Sequence, residues 1–310
     1  MDSNLNKDRN GSERATDIET TYTFEIDEDN LFQDLRNKMK SDIWQIFPSS
    51  CASLAGIPFG LMLGWPSPTY PTLLQPDSEL PISLDQSALI AGFLMLGVSL
   101  GTLFSSRQIA SCSKYGIILG NTLIVVGWAL MSQSKNVYWL LGSRIVLGTG
   151  YGYALVQIKT YIKEMTEEEL SDALVKVLAC YTLTGFTAAY VIGPFVDFYL
   201  FSVIALIVSV FILFIAIFLP STPKELIRSK RISDAKRLIA FLKPSLDPQI
   251  EAVKITESID SHDSTNTLMD IYSNNTLKYN FLKFTLLVFC QQYSGIPPTL
   301  VYTQAMPFYF

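Results

Sequence analysis

Two adjacent amides, Gln291 and Gln292, lie in the stretch Phe289-Cys290-Gln291-Gln292-Tyr293-Ser294-Gly295-Ile296. This stretch falls inside an apolar run from Phe281 to Tyr302, long enough to cross a bilayer. Amides in hydrocarbon are costly unless something pairs with them. A Gln side chain offers two donors and an acceptor, which complements a neutral polyhydroxylated solute. The alternative is that the pair bonds a neighbouring helix as structural glue. Other polar groups recur in apolar runs. Arg144 precedes the alternating glycines Gly148, Gly150 and Gly152, and Gln157 follows. An Arg inside a span is rare and faces a bundle interior, and glycines let a second helix approach closely. The GxGxG pattern is not a phosphate loop, because no strand precedes it. Lys159, Lys163 and Glu164 mark the polar exit of this run. Thr184 and Thr187 are three apart and share a helix face. They either line a hydrated path or bond back to their own helix. Tyr302 places one more hydroxyl at the end of the last run.

The elements that hold these groups are long apolar segments. The chain is 49% hydrophobic and 16% charged, against about 25% charged for a soluble domain. Spans are expected at roughly 46–69, 86–106, 116–133, 137–161, 173–196, 199–219 and 281–303. This gives a polar tail at 1–45, helical from about Asn30, and a six-helix bundle at 46–219. A loop follows at 220–280, then a seventh helix within 281–310. Met1 to Asn30 is polar and acidic, so no cleavable signal peptide is expected there. Of its 23 basic residues, all but Lys135 and Arg144 fall in the tail, in the loops after spans two, four and six, or at the adjoining span ends. The N-terminus and the large loop are therefore expected in the cytoplasm. There the sequons at Asn10 and Asn274 would go unused. The first span holds Gly56, Pro58, Gly60, Gly64, Pro66 and Pro68, which read as a broken or kinked helix. Gly97 and Gly101 give span two a close-packing face.

The loop at 221–280 carries nine basic and eight acidic residues. Apolar spacing at Ala235, Leu238, Ile239 and Leu242 predicts a short amphipathic helix on the cytoplasmic face. Pro244 and Pro248 are expected to end it, and residues 255–277 read as mobile and polar. Cys51, Cys112, Cys180 and Cys290 are irregularly spaced and make neither a disulfide framework nor a metal set. The lone His262 has no evident partner. With no nucleophile beside a base, no ligand cluster and no phosphate loop, the chain is not expected to be an enzyme or to need a cofactor.

Several stretches together resemble the sugar porter branch of the major facilitator superfamily, and within it insect facilitated trehalose and glucose transporters. They are Gly64-Trp65-Pro66-Ser67-Pro68, Arg144-x-x-x-Gly148-x-Gly150-x-Gly152, Tyr161-Ile162-Lys163-Glu164-Met165, Ala188-Ala189-Tyr190-Val191-Ile192-Gly193, Leu219-Pro220-Ser221-Thr222-Pro223, and Gln291-Gln292-Tyr293-Ser294-Gly295-Ile296. The resemblance implies an all-α fold: an N-terminal six-helix bundle, cytoplasmic loop helices and a seventh helix that starts a second half. It implies sugar contacts at Gln291, Gln292, Thr184 and Tyr302, with structural or gating roles for Arg144, Gly148, Gly152 and Glu164.

The departures are informative. The charged family loop between spans two and three falls on Ser106, Ala110, Ser111, Ser113, Lys114 and Tyr115, and the Arg-Gly after span four falls on Ser171-Asp172. The Glu of its Pro-Glu-Ser-Pro is Ser221, the span-five Gln is Ala179, and the Asn after Ile296 is Pro297. These losses imply a weakened cytoplasmic gate and half of a sugar site. The expected function is facilitative transport of trehalose or a hexose by alternating access, in the plasma membrane. No acidic residue inside the spans suits proton coupling, which favours uniport. Ending after the seventh span, the chain would need another transporter chain or the rest of a longer one. The second hypothesis is a non-transporting relative that senses sugar or regulates a full-length transporter. The expected partners are a small neutral sugar and the lipid bilayer, with no nucleic acid.

Overall fold

The computed structural model describes residues 28–78, 80–107, 113–242, 247–262, 275–295, 299 and 301–303. The tail before Glu28 with Asn10, and Asn274, Ala110, Ser111, Cys112 and Pro297, lie outside these residues. The chain divides into two units, residues 1–40 and 41–310. Among its described residues the first holds only the start of α1 (Glu28–Ser53).

In the second unit, span one is a helix in pieces. α1 is followed by α2 (Gly56–Gly64) and α3 (Pro66–Leu73), with interruptions at residues 54–55 and at Trp65. Trp65 itself keeps helical torsions, φ −52° and ψ −41°. The interruption there comes from Pro66, which has no N–H to give. Then come α4 (Leu84–Arg107), α5 (Ser113–Ser132), α6 (Val137–Met165), α7 (Glu168–Ile192), a 3₁₀ turn (Gly193–Phe195) and α8 (Phe198–Ile217). The loop forms α9 (Pro223–Arg228), α10 (Ile232–Leu242) and α11 (Pro248–His262), and α12 (Asn275–Tyr293) ends the series.

Two loop expectations need correction. Pro248 starts a helix instead of closing one: it sits in the first turn of α11, and the Asp247 carboxylate accepts from the Gln249 N–H at 2.8 Å. Asp followed by Pro is an N-cap and N1 pair, and Pro at N1 loses no helical bond. Residues 255–262 are accordingly helical, with Ala252 and Ile255 packed on Ile227, Ala235 and Ile239.

α6 is the pillar of the bundle, held between α4 and α5. Its alternating glycines divide their work. A Cβ on Gly148 would lie 2.2 Å from the Leu94 carbonyl oxygen, and one on Gly152 2.1 Å from that of Val98, so this pair faces α4. Gly150 faces α5, against Ile124 and Gly120. Small residues let the backbones meet, which is how helices associate where no hydrophobic effect separates lipid from protein. α8 shows the same logic turned outward. Ser202, Ala205, Ser209 and Ala216 are buried, while Val203, Ile207, Val210, Phe211, Phe214 and Phe218 are exposed. Phe198, Phe201 and Ile212 share the buried face, but many bulky apolar side chains are exposed where the small polar ones are enclosed, the reverse of a helix in water.

Five stretches among the described residues are long and apolar enough to cross a membrane: Met39–Leu73, Leu84–Ser105, Ser113–Ser132, Leu170–Phe195 and Phe198–Ile217. α6 is long enough but less apolar: it carries Gly148, Gly150, Gly152, Arg144 and Gln157, all buried among other helices.

Candidate functional site

Arg144 is 1% exposed, deep in the bundle. Its Nη1 donates to the Met62 carbonyl at 3.0 Å. In an unbroken helix that carbonyl would accept from the N–H four residues on, and residue 66 is Pro. The proline frees the acceptor and the arginine of another helix takes it. The guanidinium also lies 4.0 Å over the Trp65 ring, a cation–π contact worth about 2 kcal/mol when desolvated. Among the described residues no carboxylate pairs with Arg144, and its Nε and Nη2 have no hydrogen-bond partner.

Aromatic contacts run on from Trp65. Its ring meets Tyr70 edge-on at 6.0 Å and Phe198 at 5.6 Å. Tyr70 donates to the Ser87 carbonyl at 2.8 Å and packs on Tyr302 at 5.6 Å. The Tyr302 hydroxyl lies 2.9 Å from Ser87 Oγ. Tyr302 and Val301, which follow α12, thus dock on the core of span one and the start of α4.

The remaining candidates are open. α7 presents an exposed stripe of Ala179, Cys180, Leu183, Thr184, Thr187 and Val191. Thr184 bonds back to the Cys180 carbonyl at 2.9 Å. Gln291 and Gln292 are exposed on α12, and among the described residues no partner takes up their amides. The structure therefore brings Tyr302 onto the bundle and leaves Thr184 and the two amides apart on uncovered faces.

At the other end of α6, Glu164 Oε2 accepts from the Ser113 hydroxyl at 3.1 Å, and Oε1 lies 3.9 Å from Lys224 Nζ. Burial pushes its carboxyl above the ordinary value, opposed by hydrogen bonds from Thr222 and Ser113 and by Lys224. The Tyr161 hydroxyl donates to the Pro220 carbonyl at 3.0 Å, tying the same turn to the loop.

Residues 72–306 match the model of the "Sugar (and other) transporter" family. The chain belongs to this family. It is 20% identical over 269 residues to the facilitated trehalose transporter Tret1 of Bombyx mori, covering 85% of this chain and 52% of that one. It is 25% identical over 193 residues to the facilitated glucose transporter member 8 of Bos taurus, covering 62% and 40%. The inward-open xylose transporter XylE of E. coli superposes with a TM-score of 0.64 at 17% identity, over 82% of this chain and 62% of that one. The chain spans about half the length of the curated relatives it matches. Its fold is thus all-α and of the major facilitator type, and the chain is a multi-pass membrane protein of a transporter family, not an enzyme.

For this family member, sequence reasoning found Arg144 but not its partners. Trp65 lies in one of the stretches that carry the family resemblance, but nothing in the sequence pairs it, Met62, Tyr70 or Ser87 with Arg144 or with one another. The one legible clue was Pro66, four residues after Met62. Ser113, Thr222 and Lys224 were equally silent as neighbours of Glu164.

Proposed function

We propose that the chain carries a neutral sugar, trehalose or a hexose, across the membrane by facilitated alternating access. The observation that carries this reading is the arrangement around α12. Tyr302 is docked on Tyr70 and Ser87 while Gln291 and Gln292, earlier in the chain, stay exposed, as does the α7 stripe that carries Thr184. One end of the path is pinned to the bundle and its polar centre is uncovered. In this reading Gln291 and Gln292 bind sugar hydroxyls, with Thr184 on the facing wall and Tyr302 closing the pinned end. Arg144, Gly148 and Gly152 hold the wall rigid, and Glu164 fastens the opposite end to the loop. A further helical bundle supplies the second wall, as paired repeats do in such carriers. The arrangement is a tail to residue 45, a bundle to 219, a loop to 280 and the seventh span. The gathering of Lys and Arg in the tail and the even-numbered loops supports a cytoplasmic N-terminus in a cell-membrane protein. The test is uptake of labelled trehalose and glucose by cells expressing the chain. Saturable uptake should fall at least about tenfold in Gln291→Ala or Gln292→Ala, as when a site loses the partner of a substrate hydroxyl. Uptake that is not saturable, or is unchanged in both variants, refutes it.

A further inference from the structure

From Ser41 onward α1 is inside out. Ser41, Gln45, Ser49 and Ser53, spaced four apart, are each at most 3% exposed, whereas Ile43, Trp44, Ile46 and Phe47 are 41–68% exposed. Only an apolar surrounding favours that inversion. The segment begins the 35-residue stretch Met39–Leu73. At 1.5 Å per residue this is about 50 Å of helix for about 30 Å of hydrocarbon, so its first turns reach the headgroup layer.

The buried polar stripe has a task. The Gln45 amide donates to the Leu242 carbonyl, the last of α10, and to Ser41 Oγ at 3.1 Å, while Ser41 Oγ donates to the same carbonyl at 2.9 Å. The Glu167 N–H, just before α7, donates to Gln45 Oε1 at 3.0 Å. One side chain of α1 thereby caps the end of α10 and the start of α7, supplying groups that helix ends otherwise lack. This clasp holds Phe241, next to Leu242, edge-on to Trp44 at 6.1 Å and 77°. Both rings are about half exposed. One turn earlier on α10, Arg237 is exposed and has no ionic partner among the described residues. The acid of that helix, Asp234, is paired with Arg231 at 2.8 Å. An exposed aromatic pair at headgroup depth beside a free guanidinium matches a lipid phosphate: the rings favour the interface and the cation the phosphate.

We propose that the Trp44–Phe241 edge with Arg237 seats an anionic phospholipid headgroup, and that the Gln45 clasp ties this seat to the junction of α6 and α7. The proposal needs the membrane reading and not sugar transport. The test uses the full chain in nanodiscs, in a Trp139→Phe background with Trp44→Phe as the blank, since Trp65 and Trp128 are fully buried. Trp44 fluorescence should be quenched by brominated lipid and shielded from acrylamide. Adding phosphatidylglycerol to phosphatidylcholine should shift its emission saturably, and free inorganic phosphate should not. Arg237→Gln should raise the phosphatidylglycerol fraction for half the shift about fivefold while leaving bromolipid quenching intact. Gln45→Ala should weaken the phosphatidylglycerol-dependent shift of Trp44 by releasing α10 from α1. Acrylamide access without bromolipid quenching overturns the seat. So does a phosphatidylglycerol response unchanged in Arg237→Gln, or one reproduced by inorganic phosphate. A Trp44 lipid response indifferent to Gln45→Ala overturns the clasp.

Discussion

Arg144 and the pair Gln291–Gln292 are all strongly polar side chains set in apolar helices, yet the bundle holds them in opposite ways. Arg144 is enclosed, with a carbonyl and an indole face fixed against it. The glutamines stand on a helix exposed along its described length from Thr276 to Tyr293. A buried polar group must be answered by the protein that buries it. An exposed one in a membrane helix is left for something that arrives. The contrast separates residues that build the wall from residues that meet the cargo.

That separation can be broken by mutation. The largest loss of stability should come from Arg144→Met, about 2–4 kcal/mol, from the missing cation–π contact and an unpaired carbonyl. Adding Pro66→Ala should recover about 1 kcal/mol, because a main-chain N–H returns to Met62. Thermal unfolding of the single and double variants measures this coupling, and additive losses would disprove the link. Gly148→Ala should cost about 1–3 kcal/mol by forcing α4 away, whereas Gly142→Ala, with nothing within 4 Å of the added carbon, should be neutral or stabilising. Glu164 gives a smaller, pH-dependent effect. Its folded pKa lies above the ordinary 4.5, so the folded chain holds this proton more tightly than the unfolded one. The resulting stability is full below 4.5 and is lost as pH rises through the folded value. Unfolding followed across that window should show this fall, and Glu164→Gln should flatten it. Smallest of all, Thr184→Val should shift unfolding by no more than about 0.5 kcal/mol, since it gives up only a bond within its own helix at an exposed site.

Much of the fold was legible because bilayer thickness and helical rise leave few choices. Apolar runs of about twenty residues are spans whatever packs beside them. α6 was read as one of these apolar runs of bilayer length, although its buried Arg144 and Gln157 make it less apolar than its neighbours α4 and α5. Loop structure was less legible, since Asp247-Pro248 reads equally as a stop and as a start until the first turn is seen. The site was half legible. Composition marks Arg144, Gln291 and Gln292 as out of place, but their answers lie far off in sequence. Arg144 meets a carbonyl 82 residues away, and Tyr302 meets a serine 215 residues away. Main-chain carbonyls are identical in every residue, so only coordinates show which one has been released.

The released carbonyl of Met62 has a mechanical meaning. A helix that closes all of its own hydrogen bonds resists bending by itself. Span one has surrendered one such bond at Pro66, and the replacement runs sideways to α6. The stiffness of span one at that level is therefore not its own property. Tilting the pillar pulls on the carbonyl, and flexing span one pulls back on the pillar. Two helices that are separate in sequence share a single joint.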